Sequence, residues 1–444
     1  MPITELRIEG LRTIERATLT LDGLTVLIGE NGSGKSSIIE ACEILRRATG
    51  EHFLDELYTI HGGLGALLRQ GAPGLKLGVT IAVRSGEAAS KNVGGNVVSE
   101  IESIHYDLTL RPAGSFATLH ETMRVTGLPK AQSHSTKKAR KGSARRSAAA
   151  ETAVMVIERN GKELVFMPGR SGAWVRAFDE RVPLVAQLDL PALGDLELNA
   201  IKYTAFLLKK IRVHLPFETM PAWAARSLDR KSALRSPSLF APANHLEKLG
   251  LNLANAFHAL KNQFGRDEWQ RTVDYVRLGL GDRIEDVTTW ADPGGGNIGL
   301  SIKQRGVDRP IPAAQLSDGT LAYLAFIALF RLNPQHPSLL ALDEPDLHLH
   351  PRLLMRVLDF LETMAHENPV LVATHSDRLL DGLRDPARSV VLCELDEHDK
   401  TRLLRPNAEA LERWLERYRG LGEIRGAGHE ASIFTRPEDA EPRR

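Results

Sequence analysis

The segment from residue 29 to residue 37 carries the residue types that bind a polyphosphate. It follows the spacing G-x-x-x-x-G-K-[ST] and reads Gly29, Glu30, Asn31, Gly32, Ser33, Gly34, Lys35, Ser36, Ser37. The glycines let backbone N–H groups turn inward around phosphate oxygens, and Lys35 reaches the β- and γ-phosphates. The hydroxyl of Ser36 is a ligand of the type that Mg²⁺ takes. The motif predicts a nucleoside triphosphate site, and the sequence has no guanine-reading N-K-x-D near the later strands, which favours ATP.

Two acids follow an apolar run in the last third of the chain. Asp343 and Glu344 come directly after residues 339–342, which read as a buried strand. Beside a phosphate loop, an aspartate at a strand end holds Mg²⁺, and a glutamate after it can orient or deprotonate the attacking water. The alternative interpretation is a strand end with solvated acids.

A short polar motif precedes the most apolar helix of the sequence. Ser317, Asp318 and Gly319 come before the run LAYLAFIALF, and serine and aspartate are both favoured N-cap residues. By themselves these residues predict a capped core helix. Beside the two motifs above, the segment LSDGT is similar to the L-S-G-G-Q signature of ABC ATPases in a shortened form.

The whole set of motifs resembles the SMC/RecF-like branch of ABC ATPases, close to the ATPase domains of OLD-family and antiphage-defence proteins. The segment LDEPDLHLHP carries most of this resemblance. The resemblance implies that Ser317 and Gly319 contact the γ-phosphate of an ATP bound to the opposite subunit. It also implies that Asp346 lies in a D-loop at the dimer interface and that His375 senses the γ-phosphate. Asp318 departs from the family pattern, because it brings a negative charge to a position where the family has glycine.

Weaker candidates depend on position alone. Arg12 resembles the basic residue near the adenine in SMC-like heads, with an ordinary surface arginine as the alternative. Gln187 follows the antiparallel region, where the family has its Q-loop glutamine. His348 and His350 form an H-x-H pair, which without a third ligand is poor evidence for a metal site.

Residues 130–146 form a basic stretch with seven lysines and arginines and no acid. The stretch has no hydrophobic periodicity, so we expect a flexible loop over residues 130–150. It would contact nucleic-acid phosphates without reading sequence. A solvated linker without a partner is the alternative.

The sequence around these residues indicates strands and helices that together predict an α/β fold. Period-two alternation predicts strands early in the chain, and short apolar runs near the end predict strands buried on both faces. Strands are expected at residues 3–8, 17–21, 24–28, 75–83, 103–110, 120–125, 153–166, 298–303, 339–342, 370–373 and 390–393, and near residue 287. Helices are expected from residue 35 to about 47, over most of 196–275, and at 352–366, 377–384 and 408–418.

The resulting fold class is a P-loop NTPase, an ABC-type ATPase head with an antiparallel β subdomain and a helical insertion. We expect four parts. Residues 1–188 form an N-terminal lobe with the phosphate loop and the antiparallel sheet, and residues 189–285 form the helical insertion. Residues 286–400 form a C-terminal lobe with the signature, the acidic strand and His375, and residues 401–444 form a last helix and a tail.

The composition adds limits to this interpretation. The chain has 444 residues with a net charge of +1, so no global charge indicates nucleic acid or a membrane as partner. Its two cysteines suit a reducing compartment, and no apolar run approaches the roughly 18 residues that cross a bilayer. The N-terminus has no cleavable signal pattern. A cytoplasmic location is expected.

The motifs and the resemblance together predict an ATPase that uses ATP and Mg²⁺ and dimerises head-to-tail around ATP. Its expected role is DNA maintenance and repair or antiphage defence. The alternative is an ATP-gated scaffold or sensor that holds and releases a separately encoded nuclease or toxin. A transporter ATPase is disfavoured, because the signature is not L-S-G-G-Q and the chain is long for such a module.

Overall fold

The computed structural model of the protein describes residues 2–83, 101–114, 116–128, 153–161, 163–167, 179, 181–187, 195–220, 232–291, 296–332 and 336–434. In this part of the chain the strands are β1 (Ile3–Leu11), β2 (Ile14–Thr20), β3 (Leu24–Ile28), β4 (Leu75–Ala82), β5 (Ser103–Ala113), β6 (Phe116–Leu128), β7 (Ala153–Asn160), β8 (Glu163–Met167), β9 (Ile211–His214), β10 (Ser238–Leu239), β11 (Ile284–Ala291), β12 (Asn297–Gln304), β13 (Ile311–Pro312), β14 (Leu339–Asp343), β15 (Val370–Ala373), β16 (Val390–Leu395) and β17 (Thr401–Leu404). The α-helices are α1 (Lys35–Arg47), α2 (Phe53–His61), α3 (Asp195–Lys209), α4 (Leu253–Gln263), α5 (Gly265–Leu280), α6 (Asp318–Arg331), α7 (Pro351–Ala365), α8 (Asp377–Asp381), α9 (Pro386–Ser389), α10 (Ala408–Leu415) and α11 (Leu421–Gly426).

Two compact units make up the chain, and each consists of two segments. The first unit contains Met1–Thr20 and Ile44–Lys210, and the second contains Leu21–Glu43 and Ile211–Arg444. The phosphate loop, the acidic strand end and the signature all lie in the second unit. The four-part division expected from the sequence follows motif content and stays a prediction.

The first unit is built on an antiparallel sheet with the strand order β2-β1-β4-β5-β6-β7-β8. On β5, Ile104, Tyr106 and Leu108 are buried, and the residues between them are partly exposed, as period-two alternation requires. The single strand expected over residues 153–166 is wrong. It is a hairpin of β7 and β8, because the chain turns at Gly161 with a φ of 57°.

A buried ion pair connects the middle of this sheet to the segment that follows it. Arg159 Nη1 donates to Glu121 Oε2 at 2.6 Å, and both side chains are 0% exposed. Glu121 also accepts from the Tyr106 hydroxyl at 2.6 Å and from the Leu184 N–H at 2.7 Å. Arg159 donates in addition to the carbonyl of Val182 at 2.6 Å. The buried charges are therefore paired and hydrogen-bonded, which is the condition under which they are tolerated.

The second unit is built on a six-stranded sheet with the order β17-β16-β3-β15-β14-β9. Its strands are parallel except for β17, and all residues of β3 and β15 are buried. Helix α6 contributes an unbroken buried run at residues 321–329, so it is a core helix. Strands β10 to β13 form a separate antiparallel sheet. The predicted α/β P-loop architecture is confirmed, and the predicted antiparallel β subdomain is the seven-stranded sheet of the first unit.

Strand β9 interrupts the region that the sequence pattern predicts to be helical. Residues 196–275 overlap α3, α4 and α5, but Ile211–His214 pairs in parallel with β14 at the edge of the central sheet. A strand of four residues is too short for its alternation to be distinguished from a helical pattern. Among the described helices, none has the length and apolar character needed to cross a membrane.

Candidate functional site

The phosphate loop connects β3 to α1, and its shape requires glycine. Gly29, Gly32 and Gly34 have φ values of 141°, 81° and 101°. Residues with a side chain rarely adopt these positive values. A Cβ on Gly29 would lie 2.1 Å from the carbonyl oxygen of Cys393 on the neighbouring strand β16. The loop is thus packed directly against the sheet, and α1 begins at its end, where the first N–H groups of a helix have no acceptor within the helix.

Lys35 is folded onto its own loop. Its Nζ donates to the carbonyls of Gly29 and Glu30 at 2.9 and 2.8 Å, and the residue is only 4% exposed. Burial lowers the pKa of Lys35, while the nearby carboxyl groups of Glu344 and Asp343 act in the opposite direction. The ammonium group therefore lies against the backbone of the phosphate loop.

Ser33 contributes a hydroxyl without a partner to the same loop. The residue is 2% exposed, and its Oγ has no hydrogen-bond partner within the described chain. A buried polar group in this state needs an acceptor or donor from elsewhere. The phosphate loop therefore fits a polar ligand.

Ser36 and Asp343 meet although they lie far apart in sequence. Asp343 is in register with Ala373, and Ala373 with Leu27, so the carboxyl ends of β14, β15 and β3 lie at one edge of the sheet. Ser36 Oγ donates to Asp343 Oδ1 at 3.3 Å. Burial raises the pKa of Asp343, whereas the Ser36 hydrogen bond and Lys35 lower it. A hydroxyl and a carboxylate are oxygen donors that fit Mg²⁺.

Glu344 and His375 form a second pair at this edge. The Nε2 of His375 lies 3.5 Å from Glu344 Oε1, and the His375 N–H donates to Glu344 Oε2 at 3.4 Å. Burial raises the pKa of Glu344, and the neighbouring acid Asp346 adds to the rise. Burial and the positive charges of Lys35 and Arg425 lower the pKa of His375. The arrangement places a carboxyl group with a raised pKa beside an imidazole with a lowered pKa.

Asp346 and His350 have structural partners. Asp346 Oδ1 accepts a hydrogen bond from the Thr374 hydroxyl, which joins the loop after β14 to the end of β15. His350 caps α7, because its Nδ1 accepts from the Arg352 N–H at 3.3 Å. His348 has a φ of 67°. Among the described residues, no group of three or more potential protein ligands is arranged for a metal ion.

The signature lies at the start of α6. Ser317 is exposed and caps the helix, with its Oγ accepting from the Thr320 N–H at 3.2 Å. A Cβ on Gly319 would lie 2.8 Å from the carbonyl oxygen of His348. Glycine is therefore required for the signature to pack against the loop after β14. Asp318 Oδ1 accepts from Arg235 Nη2 at 2.5 Å.

The other two candidates lie in the other compact unit. Arg12 and Gln187 belong to the first unit, whereas all the residues above belong to the second. Arg12 lies in the turn between β1 and β2 with a φ of 48°. The side-chain amide of Gln187 donates to the carbonyl of Val182 at 2.6 Å. Their roles stay predictions, and the basic stretch at 130–146 lies outside the described residues.

Sequence analysis missed two arginines near the site, Arg235 and Arg425. Arg425 on α11 donates to Asp377 at 2.8 Å and to Glu430 at 3.1 Å. It lines a cavity of about 430 Å³ together with Gly29 and other residues of the phosphate loop. Neither arginine lies in a recognisable motif, so no local signal in the sequence could have identified it.

Family models match the parts of the chain that carry the motifs. Residues 207–381 match the family described as "AAA domain, putative AbiEii toxin, Type IV TA system", and residues 1–102 match the "AAA ATPase domain" family. With the geometry above, these matches show that the two segments carrying the motifs are similar to AAA-type ATPase domains. The comparison with curated proteins finds no significant match.

Similar solved structures are heads of SMC proteins. The Smc head bound to the C-terminal winged-helix domain of ScpA has 12% identity, covers 92% of this chain and 99% of that chain, and has a TM-score of 0.48. The SMC head domain from Thermotoga maritima has 14% identity, 92% and 100% coverage and a TM-score of 0.42. A Smc head with an extended coiled coil, bound to the C-terminal domain of ScpA from Pyrococcus furiosus, has 12% identity, 96% and 100% coverage and a TM-score of 0.49.

Proposed function

We propose that the protein binds ATP with Mg²⁺ and hydrolyses the ATP. The observation that carries this proposal is the hydrogen bond between Ser36 and Asp343, with Lys35, Glu344 and His375 around it. Parallel sheets place ligands at the carboxyl ends of their strands, and the cluster lies at that edge. No other described group of residues combines a phosphate loop with a candidate base.

Each residue has a distinct role in this proposal. The N–H groups of the loop and Lys35 hold the phosphates, and Lys35 exchanges its bonds to two loop carbonyls for phosphate oxygens. Ser36 and Asp343 would hold Mg²⁺, which supplies neutralisation of phosphate charge. Glu344 takes a proton from the attacking water, and burial favours this because it raises the pKa of the carboxyl. His375 positions the Glu344 carboxylate.

Head-to-tail dimerisation is the second part of the proposal. The start of α6 exposes Ser317, and the positive end of the helix dipole lies there. This end has no phosphate loop of its own, so we propose that it closes over an ATP bound to a second copy. Asp346 would then lie at the interface between the copies.

The first experiment measures ATP binding by the Lys35→Ala variant. The change removes the ammonium group that would contact two phosphates, so we expect affinity for ATP·Mg²⁺ to fall at least about 30-fold, with loss of turnover. Lys303→Ala, which removes an exposed ion pair with Glu285, is the matched control and should bind ATP as the wild type does. Normal ATP binding by Lys35→Ala would refute the phosphate-loop assignment.

The biological role proposed first is DNA maintenance, repair or antiphage defence. Steady-state ATP turnover with and without double-stranded DNA at low salt tests it. Stimulation that falls as salt rises, and that is lost when the charges of residues 137–146 are removed, would support contact with DNA phosphates.

The second candidate is an ATP-gated scaffold or sensor that holds a separately encoded effector. The match of residues 207–381 to a family whose description names a toxin system favours it. Slow turnover that is indifferent to DNA, together with a nuclease or toxin that co-purifies with the Glu344→Gln variant and is released from the wild type by ATP, would support this role over the first.

A further inference from the structure

Arg235 is a buried arginine whose hydrogen bonds converge on the signature. Its side chain is 8% exposed, and Nε donates to the carbonyl of Thr219 at 2.7 Å. Nη1 donates to the carbonyls of Ala314 and Leu316 at 3.2 and 2.6 Å. Nη2 donates to Asp318 Oδ1 at 2.5 Å. Of these four acceptors, three lie within three residues of Ser317, so one guanidinium fixes the chain on both sides of the signature serine.

The same contacts resolve the charge problem at Asp318. An unpaired carboxylate beside Ser317 and Gly319 would repel a phosphate. Here the carboxylate is paired with a guanidinium that is itself removed from solvent, so the two charges cancel at short range. The Thr320 N–H donates to Ser317 itself, so the donors that remain for an anion are the Ser317 hydroxyl and the N–H groups that precede Thr320 at the start of α6.

The loop after β14 supports this arrangement from the other side. A Cβ at Gly319 would lie 2.8 Å from the His348 carbonyl oxygen, so the start of α6 packs closely against that loop. Arg235 holds the preceding residues through Ala314 and Leu316. The signature is therefore contacted from two sides by parts of the same unit.

We propose that Arg235 is a positioning residue for the signature, which neutralises Asp318 and fixes Ser317 and Gly319 for the γ-phosphate of an ATP bound to a second copy. The inference rests on the proposed function. It gives Asp318 a defined place in the signature, because the aspartate serves as the partner that orients the guanidinium.

The test compares Arg235→Gln, Asp318→Asn and the double variant. We expect kcat of Arg235→Gln to fall about tenfold or more, with the ATP dissociation constant of the dilute monomer unchanged within about twofold, because the phosphate loop is intact. Asp318→Asn keeps a hydrogen-bond acceptor for Arg235 and removes the carboxylate charge, so its kcat should fall less than that of Arg235→Gln. The double variant should be at least about threefold faster than Arg235→Gln, because it removes the uncompensated carboxylate.

The matched control is Arg331→Gln at the opposite end of α6. Arg331 is 18% exposed and pairs with Glu268, so its loss removes a similar ion pair far along the helix from Ser317. The thermal midpoint of the Arg331→Gln variant should fall as that of Arg235→Gln does. The kcat of Arg331→Gln should stay within about twofold of wild type. If Arg235→Gln does not fold, Arg235→Lys replaces it, because lysine keeps the charge but cannot serve all four acceptors.

Two results would overturn the inference: a wild-type kcat in Arg235→Gln, or a double variant that is no faster than the single one. A failure of the proposed function is distinguishable, because the wild type would then neither bind nor hydrolyse ATP. In that case hydrogen–deuterium exchange over residues 316–321 still decides whether Arg235 fixes this segment. We expect exchange at least about tenfold faster in Arg235→Gln than in Arg331→Gln, and equal exchange would overturn the positioning role.

Discussion

Glu344 has a left-handed backbone conformation, with a φ of 46°, which is uncommon for a residue with a side chain. Its N–H donates to the carbonyl of Ala373 at 2.8 Å, so the end of β15 holds this turn in place. A conformation of this kind costs about 1–3 kcal/mol and persists where the surrounding structure maintains it. The backbone itself therefore directs the carboxylate toward His375.

The Glu344→Gln variant tests the role of this carboxylate. Glutamine keeps the shape and still accepts from the His375 N–H, but it cannot take a proton from water. We expect ATP binding within about twofold of wild type and turnover at least about 100-fold slower, measured by phosphate release. Glu367→Gln, an exposed residue of the same unit, is the control and should leave both unchanged. Wild-type turnover in Glu344→Gln would exclude it as the base.

At the scale of elements, the Glu121–Arg159 pair joins β6, β7 and the segment at 181–187. The Tyr106 hydroxyl and the Leu184 N–H complete the coordination of the Glu121 carboxylate. Burial, together with the Glu121 charge, raises the pKa of Tyr106 well above its ordinary value, so the hydroxyl remains a donor. The Glu121 carboxylate thus accepts hydrogen bonds from β5, from β7 and from the segment at 181–187.

Glu121→Gln should destabilise the first unit. Glutamine can still accept from Tyr106 and Leu184, but Arg159 is left as a buried charge without a counter-charge. We expect the free energy of unfolding of this unit to fall by about 3 kcal/mol, measured by hydrogen exchange in β5 to β7. Glu158→Gln, an exposed neighbour on β7, should change it by less than about 0.5 kcal/mol. Equal effects of the two changes would contradict the assignment.

The sequence predicted those elements whose pattern is local. The phosphate loop, β3, β14 and β15 have motifs or wholly apolar runs, and their parallel pairing follows from the chain order. Strand β9 has only four residues and no such pattern. The partnership of Arg235 with Asp318 joins positions 83 residues apart, and nothing in a single sequence pairs them. Contacts between residues that lie far apart in the sequence and outside any motif could therefore not be derived from the sequence.

At the scale of the whole molecule, each unit depends on two separate segments of the chain. Strand β3 belongs to Leu21–Glu43, yet it lies between β15 and β16 in the sheet of the second unit. The larger segment of that unit begins only at Ile211. The sheet therefore has a gap unless the early segment occupies it.

A fragment of residues 211–434 should not fold cooperatively by itself. Without β3, the facing edges of β15 and β16 have no partner, and apolar side chains that β3 covers are exposed. A protein that joins residues 21–43 to residue 211 through a flexible linker of about 20 residues should regain a cooperative thermal transition, monitored by circular dichroism. The matched control replaces residues 24–28 of the joined protein with a Gly/Ser segment. A cooperative transition in the fragment alone would contradict this dependence.

The two cysteines of the chain have a practical consequence. Cys42 and Cys393 are both buried, and burial raises the pKa of each thiol to about 12. A thiolate is the form that reacts with maleimides and iodoacetamides, so both native sulfurs are unreactive in the folded protein. A cysteine introduced at an exposed position, such as Glu367→Cys, would accept a fluorophore alone. Site-specific labelling of an introduced cysteine therefore does not require prior replacement of Cys42 or Cys393.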